Sequence, residues 1–350
     1  MRRAPPECDS PAVRNMTETN VWVFFYGSYM NRAVLAEVDL RPESWEPARV
    51  TGFDIEIAPR ANLVRSPGGI VFGALATATH SQLERLYAHA RDVLGEVYLP
   101  EAVVAIDASG RSRSALCYIA PEMRERPAEK AYVERILVAA RELGVPDEYL
   151  ERLESFLPVE ERVARLLARR EGHFALESGH HGDLWLDLEK LCLRPEPVRR
   201  LASELARRLA RHRVEAVCGP LVEGAFVALF AASELGVPFT YSELLPVRTS
   251  DSLFSARYRV PPALRAELSG KRVAVVNDVV NAGSAVRATL AELATCGARP
   301  VAIGTLAVLG KRAAELAAGA GVALETLAEF PNTIWEPAEC PLCARGVPLT

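Results

Sequence analysis

The spacing of apolar positions divides the chain into three stretches. In the first, Val21-Trp-Val-Phe-Phe25 is a β-rich run that stops at Tyr26-Gly-Ser-Tyr-Met-Asn31, after which Ala33–Val38 takes on helical spacing. In the second, Glu129 to Ala168, apolar residues recur every three or four positions, broken at Gly144-Val-Pro-Asp147 and at Leu157-Pro158. This predicts helices closing a first domain, a boundary near Phe156–Glu160, and a helix over Glu161–Arg170 opening a second. Arg194–Arg211 predicts an amphipathic helix whose arginines form its solvated face. In the third stretch strands and helices alternate: strand Ala216–Cys218, helix Ala225–Leu235, strand Phe239–Tyr241, strand Val273–Val276, helix Val286–Thr295, strand Pro300–Leu306. Such alternation predicts a parallel sheet with right-handed crossovers and ligands at the carboxyl ends of its strands.

The Pro-rich polar residues 1–19 are expected to be a disordered leader, with Met16 an alternative start. The expected organisation is therefore a leader over 1–19, one domain over 20–156 and another over 157–350. Composition narrows the function. With 350 residues, 49% hydrophobic and mean hydropathy +0.06, the chain suits two cored globular domains. A net charge of −4 gives no basic face for a phosphate backbone, so small molecules rather than nucleic acid are the expected partners. The leader lacks the apolar core of about 7–15 residues that a secretory signal needs. No stretch reaches the ~18 apolar residues of a membrane span, so the expected location is cytoplasmic. Seven scattered cysteines argue against a disulfide framework. Cys340 and Cys343 form a C-x-x-C, half of a tetrahedral zinc site, to be completed across a dimer interface or else to serve as a structural tail.

Two turns carry candidate chemistry. After Val273–Val276, the segment Asn277-Asp-Val-Val-Asn-Ala-Gly-Ser-Ala285 reads as a small-residue turn opening a helix, which is an anion cradle. Gly283 permits backbone approach to a phosphate, Asn281 and Ser284 add donors, and Asp278 faces ribose hydroxyls or a metal bridging to pyrophosphate. At the first strand, Tyr26-Gly27-Ser28 offers backbone amides to a carboxylate or carbonyl oxygen, or is only a tight turn.

The cradle resembles the ribose-phosphate loop of type I phosphoribosyltransferases. Other segments resemble the orotate phosphoribosyltransferase branch: Glu171–Asp187, Gly219-Pro-Leu-Val-Glu-Gly-Ala225, and Trp335-Glu-Pro-Ala-Glu-Cys-Pro-Leu-Cys343. The resemblance implies a C-terminal α/β parallel-sheet domain that uses phosphoribosyl pyrophosphate (PRPP) with Mg²⁺ in nucleotide metabolism, usually as a homodimer. It implies a phosphate-binding loop of Asn277, Asp278, Val279, Val280, Asn281, Ala282, Gly283, Ser284 and Ala285. Gly219 and Gly224 would lie at the pyrophosphate, and Asp278 would be catalytic and meet Mg²⁺ through PRPP. Ser178, Gly179 and His180 would read the base, although Ser178–Asp183 also reads as a polar turn. The family's first acid is Asn277 here, and Leu244 or Leu245 stands where a lysine is usual. Arg257 and Arg259 would then neutralise the leaving pyrophosphate.

The N-terminal half resembles the gamma-glutamyl cyclotransferase-like superfamily through Tyr26-Gly-Ser28, Arg49–Asp54, Val71–Leu75, the helix Ser81–Ala90, Tyr98–Ile106 and Ala115–Ile119. That resemblance implies an α+β domain built on a small mixed β-barrel. Tyr26, Gly27, Ser28 and Tyr29 would bind a gamma-glutamyl group, and one carboxyl, Asp92 or Glu96, would act as general acid/base in releasing 5-oxoproline. The expected function is a two-domain enzyme; the competing one is a catalytically impaired protein that senses a nucleotide or ribose phosphate.

Overall fold

The computed structural model describes residues 19–123, 126–175, 180–245 and 257–350. The predicted leader, 1–18 of it, and the base-reading positions Ser178 and Gly179 lie outside the described residues. The chain divides into two compact units, Met1–Leu157 and Pro158–Thr350.

Unit 1 contains β1 (Asn20–Phe25), α1 (Arg32–Ala36), β2 (Trp45–Ile57), β3 (Ala61–Thr79), α2 (His80–His89), β4 (Leu99–Asp107), β5 (Ser112–Ile119), α3 (Lys130–Leu143) and α4 (Asp147–Glu154). The strands close a barrel in the order β1-β3-β2-β4-β5, sealed by parallel pairing of β5 with β1 at Val23↔Leu116. β1 is apolar from Val21 to Phe25, and its last three residues are buried on both faces. Phe24 joins the core shared with α3, whereas Val23 and Phe25 pack with Leu83 and Leu86 of α2, as the two-residue period of a strand requires. α2 starts in a capping box: Thr79 Oγ1 accepts from Gln82 N at 3.3 Å while Gln82 Oε1 accepts from Thr79 N at 2.9 Å. The helix passes into a wider turn over Ala90–Leu94 that ends at Gly95, whose φ of 75° lies in the left-handed region. This turn brings Glu96 to the barrel.

Unit 2 contains α5 (Val159–Leu166), β6 (Arg170–Ala175), β7 (His181–Trp185), α6 (Pro195–Leu209), β8 (Ala216–Pro220), α7 (Glu223–Leu235), β9 (Phe239–Leu245), β10 (Arg257–Arg259), α8 (Pro262–Arg265), β11 (Arg272–Val280), α9 (Ser284–Thr295), β12 (Arg299–Leu309), α10 (Arg312–Ala320), β13 (Ala323–Phe330), β14 (Ile334–Trp335) and α11 (Pro341–Ala344). The main sheet has the order β10-β9-β8-β11-β12-β13, parallel except that edge strand β10 runs antiparallel to β9. Alternate residues of β11 face opposite layers. Ala274 and Val276 pack with α6 and α7, while Val273 and Val275 pack with α9 and α10. A small second sheet, β14-β7-β6, stands apart from the main one.

Several boundaries differ from the expectation: β8, β9 and β12 run on past Cys218, Tyr241 and Leu306, and α1 ends at Ala36. Two further differences bear on the sites. The helix predicted over Glu161–Arg170 is α5, which stops at Leu166, and Arg170 opens β6 instead. Ala168, with φ of 45°, makes the break. The strand predicted to end at Val276 continues to Val280, because Val279 and Val280 stay in register with Ala307 and Val308 of β12. The polar pair Asn277-Asp278 thus sits within the strand and not in the turn after it.

Candidate active sites and a metal-ligand cluster

In unit 2 the two glycine loops meet at the carboxyl ends of β8 and β11. A Cβ on Gly219 would fall 2.6 Å from Ala228 Cβ, and one on Gly224 would fall 2.0 Å from Asn277 Oδ1. Glycine at both positions lets α7 start against β8 and β11. The peptide between Leu221 and Val222, inside this loop, is cis. Asn277 Nδ2 donates to Val279 O at 2.7 Å, turning the side chain back on its own strand. Asp278 is 6% exposed. Burial pushes its carboxyl up to about 6, with the Glu223 carboxylate adding to the rise and the backbone N–H groups of Val279 and Asp278 opposing it. Thr305 Oγ1 donates to Asp278 O at 2.9 Å and fixes the backbone there. Val280 is buried, and Asn281 Oδ1 accepts from Asn332 Nδ2 at 3.2 Å. After exposed Ala282, Gly283 caps α9 with φ of 73°, and Ser284 and Ala285 are the first helical residues. The amides of that first turn have no intrahelical partners, an arrangement suited to an anion.

Arg257 and Arg259 lie on β10. Arg259 pairs with Glu243 at 3.1 Å, and Arg257 is exposed. Tyr258, between them on a strand, takes the opposite face. Burial first, then the charges of Asp278 and Glu223, push its hydroxyl up. The same causes in the same order raise the Cys192 thiol. Tyr258, Glu223 and Cys192 therefore share the field of Asp278. Glu223 falls within the glycine motif Gly219–Ala225, whereas Tyr258 carries no motif of its own between Arg257 and Arg259.

In unit 1 the Tyr26-Gly-Ser-Tyr turn lines a cavity with Arg60, Tyr98 and Tyr132. Gly27 has φ of 60° and would place a Cβ 2.3 Å from Ala61 Cβ. Around Ala61 the tyrosines are tied to backbone: Ala61 N donates to Tyr132 Oη at 3.1 Å, and Tyr98 Oη donates to Ala61 O at 3.0 Å. Tyr132 Oη also donates to Ser28 Oγ at 3.4 Å, and Tyr26 Oη donates to Tyr118 O at 2.7 Å. Burial pushes the Tyr26, Tyr29 and Tyr98 hydroxyls up, so they stay neutral donors. The two candidate acids part company. Asp92 is exposed and bonded to Arg91 at 2.8 Å, which holds its carboxyl below the usual range. Glu96 is 5% exposed, and its charge raises the Tyr98 hydroxyl.

The C-x-x-C motif finds its complement within the same chain. His173 of β6, His181 of β7, Cys340 and Cys343 present four ligand atoms within 4.8 Å of one another. No second protomer is needed to bring four ligands together. His181 is buried in this cluster, whereas His180 points to Glu336 with Nε2 2.9 Å from Oε1. Of the two adjacent histidines, His181 joins the cluster and His180 turns away from it.

A parallel sheet with its glycine loops and buried carboxylate at the strand ends is the architecture of a phosphoribosyltransferase unit, and residues 189–337 match the phosphoribosyl transferase domain family. The orotate phosphoribosyltransferase of Thermotoga maritima is 30% identical over 193 residues, covering 54% of this chain and 94% of that one. That of Caldanaerobacter subterraneus subsp. tengcongensis is 29% identical over 194 residues, covering 54% and 94%. The chain belongs to the orotate phosphoribosyltransferase family. A solved gamma-glutamyl cyclotransferase is similar at 24% identity with a TM-score of 0.33, covering 39% of this chain and 88% of that one. Among the described residues no helix is long and apolar enough to cross a membrane.

Proposed function

We propose that unit 2 transfers the 5-phosphoribosyl group of PRPP to an orotate-like pyrimidine nitrogen. The C1–O bond to pyrophosphate breaks as the C1–N bond forms, and pyrophosphate leaves. The observation that carries this reading is the buried Asp278 carboxylate at the end of β11, five residues before the Gly283 turn that opens α9. In it, the α9 amides and Ser284 hold the 5-phosphate, Asp278 binds the ribose hydroxyls, and the Gly219–Gly224 loop meets pyrophosphate. The carboxylates of Asp278 and Glu223 are hard oxygen donors that fit Mg²⁺, which would neutralise charge on the pyrophosphate. Arg257, with no lysine at Leu244 or Leu245, supplies the cation on β10.

Calorimetric titration with PRPP and Mg²⁺, with and without orotate, tests this together with Asp278→Ala and Gly283→Val. Each substitution is expected to abolish ribose-phosphate binding; unchanged affinity in both overturns the reading. Tight PRPP binding without pyrophosphate release under any acceptor base would favour a sensor. Assembly as a homodimer through unit 2 is supported by the exposed apolar residues Leu221, Val222, Phe226 and Leu229 on and before α7, and a concentration-independent monomer in light scattering would count against it. For unit 1 we propose a site for gamma-glutamyl amines with Glu96 as its acid/base group, supported by the burial of Glu96 beside Tyr98. Cytoplasmic location follows from small-molecule substrates of this kind.

A further inference from the structure

Unit 2 ends in a segment that its apolar contacts hold weakly. Val347 and Leu349 are 39% and 48% exposed, and β14 contributes only the pairs Ile334↔Gly182 and Trp335↔His181. The β14-β7-β6 sheet offers little core of its own, with Phe174 and Leu184 its buried apolar residues. Elements this small are ordinarily held by a staple. At this spot the tail brings Cys340 and Cys343 against His173 and His181.

The separations within this cluster are compatible with a tetrahedral metal site. Cys340 Sγ is 3.3 Å from His173 Nε2, Cys343 Sγ is 3.3 Å from His181 Nδ1 and 3.7 Å from His173 Nε2, and the two ring nitrogens are 3.1 Å apart. A tetrahedron with Zn–S of about 2.3 Å and Zn–N of about 2.0–2.1 Å has edges of about 3.3 Å for N to N, 3.6 Å for S to N and 3.8 Å for S to S. These four of the six edges fall within a few tenths of an ångström of those lengths, and all four ligand atoms lie within 4.8 Å of one another. Nδ1 of His173 lies 2.7 Å from Val347 O, and a carbonyl only accepts, so Nδ1 donates there and Nε2 is the ring nitrogen that faces the cysteines and can serve as a ligand. His173 is 2% exposed and Cys340 3%, so that nitrogen and the thiol are removed from competing water.

We propose that His173, His181, Cys340 and Cys343 bind one zinc ion that fastens the C-terminal tail to the β6–β7 pair. Binding releases two thiol protons and yields two thiolates; no oxidant or reductant takes part. Four protein ligands close the coordination sphere, so the ion is structural and takes no part in turnover. Further bonds from the tail, Thr350 N to His173 O at 2.8 Å and Thr350 Oγ1 to the same carbonyl at 3.0 Å, complete a wrap around one ligand.

The test uses the full chain purified under reducing conditions without chelator. Metal analysis is expected to find about one zinc per chain. After exchange with Co²⁺, an intense visible spectrum of tetrahedral cobalt with a thiolate charge-transfer band is expected. Cys343→Ser, which alters the exposed ligand and leaves the buried ones in place, should weaken metal affinity by at least the about 10–100-fold typical of outer-shell losses and diminish the charge-transfer band. Removing zinc should expose the tail beyond Glu336 to limited proteolysis in the parent protein. Parent protein that holds no zinc and gives no tetrahedral cobalt spectrum overturns the proposal, as does zinc content unchanged in a Cys340→Ser/Cys343→Ser double variant.

Discussion

Replacing Asp278 by Asn should stabilise unit 2, and the gain should depend on pH. The carboxyl has an ordinary value of 3.8 and is pushed to about 6 in the fold. At about 1.4 kcal/mol per tenfold change in proton affinity, holding the charged form in that position costs about 3 kcal/mol. The sign follows from proton counting. Between 3.8 and about 6 the folded state keeps a proton that the unfolded chain has already lost, so stability falls as pH rises through this window. Below it both states are protonated and the residue contributes nothing; above it the cost is complete. Asparagine keeps a carbonyl oxygen to accept from the backbone N–H groups of Val279 and Asp278 and carries no charge. Scanning calorimetry of Asp278→Asn and parent between pH 4 and 8 should therefore show nearly equal melting of unit 2 at the acid end. The gap should open to roughly 6–12 °C at the alkaline end, at about 2–4 °C per kcal/mol for a unit of this size. A gap that is constant across the range, or a variant that melts below the parent at pH 8, would refute the reasoning. The cost is tolerated where the charge meets hydroxyls or a metal ion, so the same substitution that stabilises the fold should remove PRPP binding.

Other expectations concern unit 1. Any release of 5-oxoproline from gamma-glutamyl amines should fall more than about tenfold in Glu96→Gln and stay near the parent value in Asp92→Asn, since general acid/base groups contribute about 10²–10⁴; the reverse order would move the acid to Asp92. Gly27→Ala forces a Cβ to within 2.3 Å of Ala61 Cβ at a left-handed φ, so urea unfolding should show a loss of about 2–5 kcal/mol, the sum of overpacking and backbone strain; a loss below about 1 kcal/mol would mean the turn relaxes freely.

The layered sheet of unit 2 was readable because Val273–Val276 and its sister strands are continuous apolar runs, the mark of strands covered on both faces. The exact end of β11 was not, since Asn277-Asp278 has the composition of a turn and only pairing with Ala307 and Val308 carries the strand past it. Likewise the helix predicted through Arg170 yielded to pairing of Arg170 with Trp185. Choosing between Asp92 and Glu96 required knowing which one the turn after α2 buries, and both lie within five residues of one another in an acidic, irregular stretch. The sequence does not mark His173 and His181 as neighbours of the cysteines. His173 and Cys340 are 167 positions apart, and nothing local in either segment declares the pairing. His181 sits beside His180 in Ser178–Asp183, a segment that reads as a polar turn.

The bond from Asn277 Nδ2 to Val279 O constrains what else position 277 can hold. An aspartate at 277 would turn a carboxylate oxygen toward that carbonyl, losing the bond and setting two acceptors face to face, at a cost of about 1–3 kcal/mol. Rotating away offers no escape, because Asn277 Oδ1 already fills the space left by Gly224, and Asp278 stands next in line. The amide is therefore wedged between a strand end and a helix start that have settled around it. Placing a second acid here would need Val279, Gly224 and residue 277 to move together, so an Asn277→Asp exchange, a change of one side-chain group, reaches through the strand end and the helix start at once.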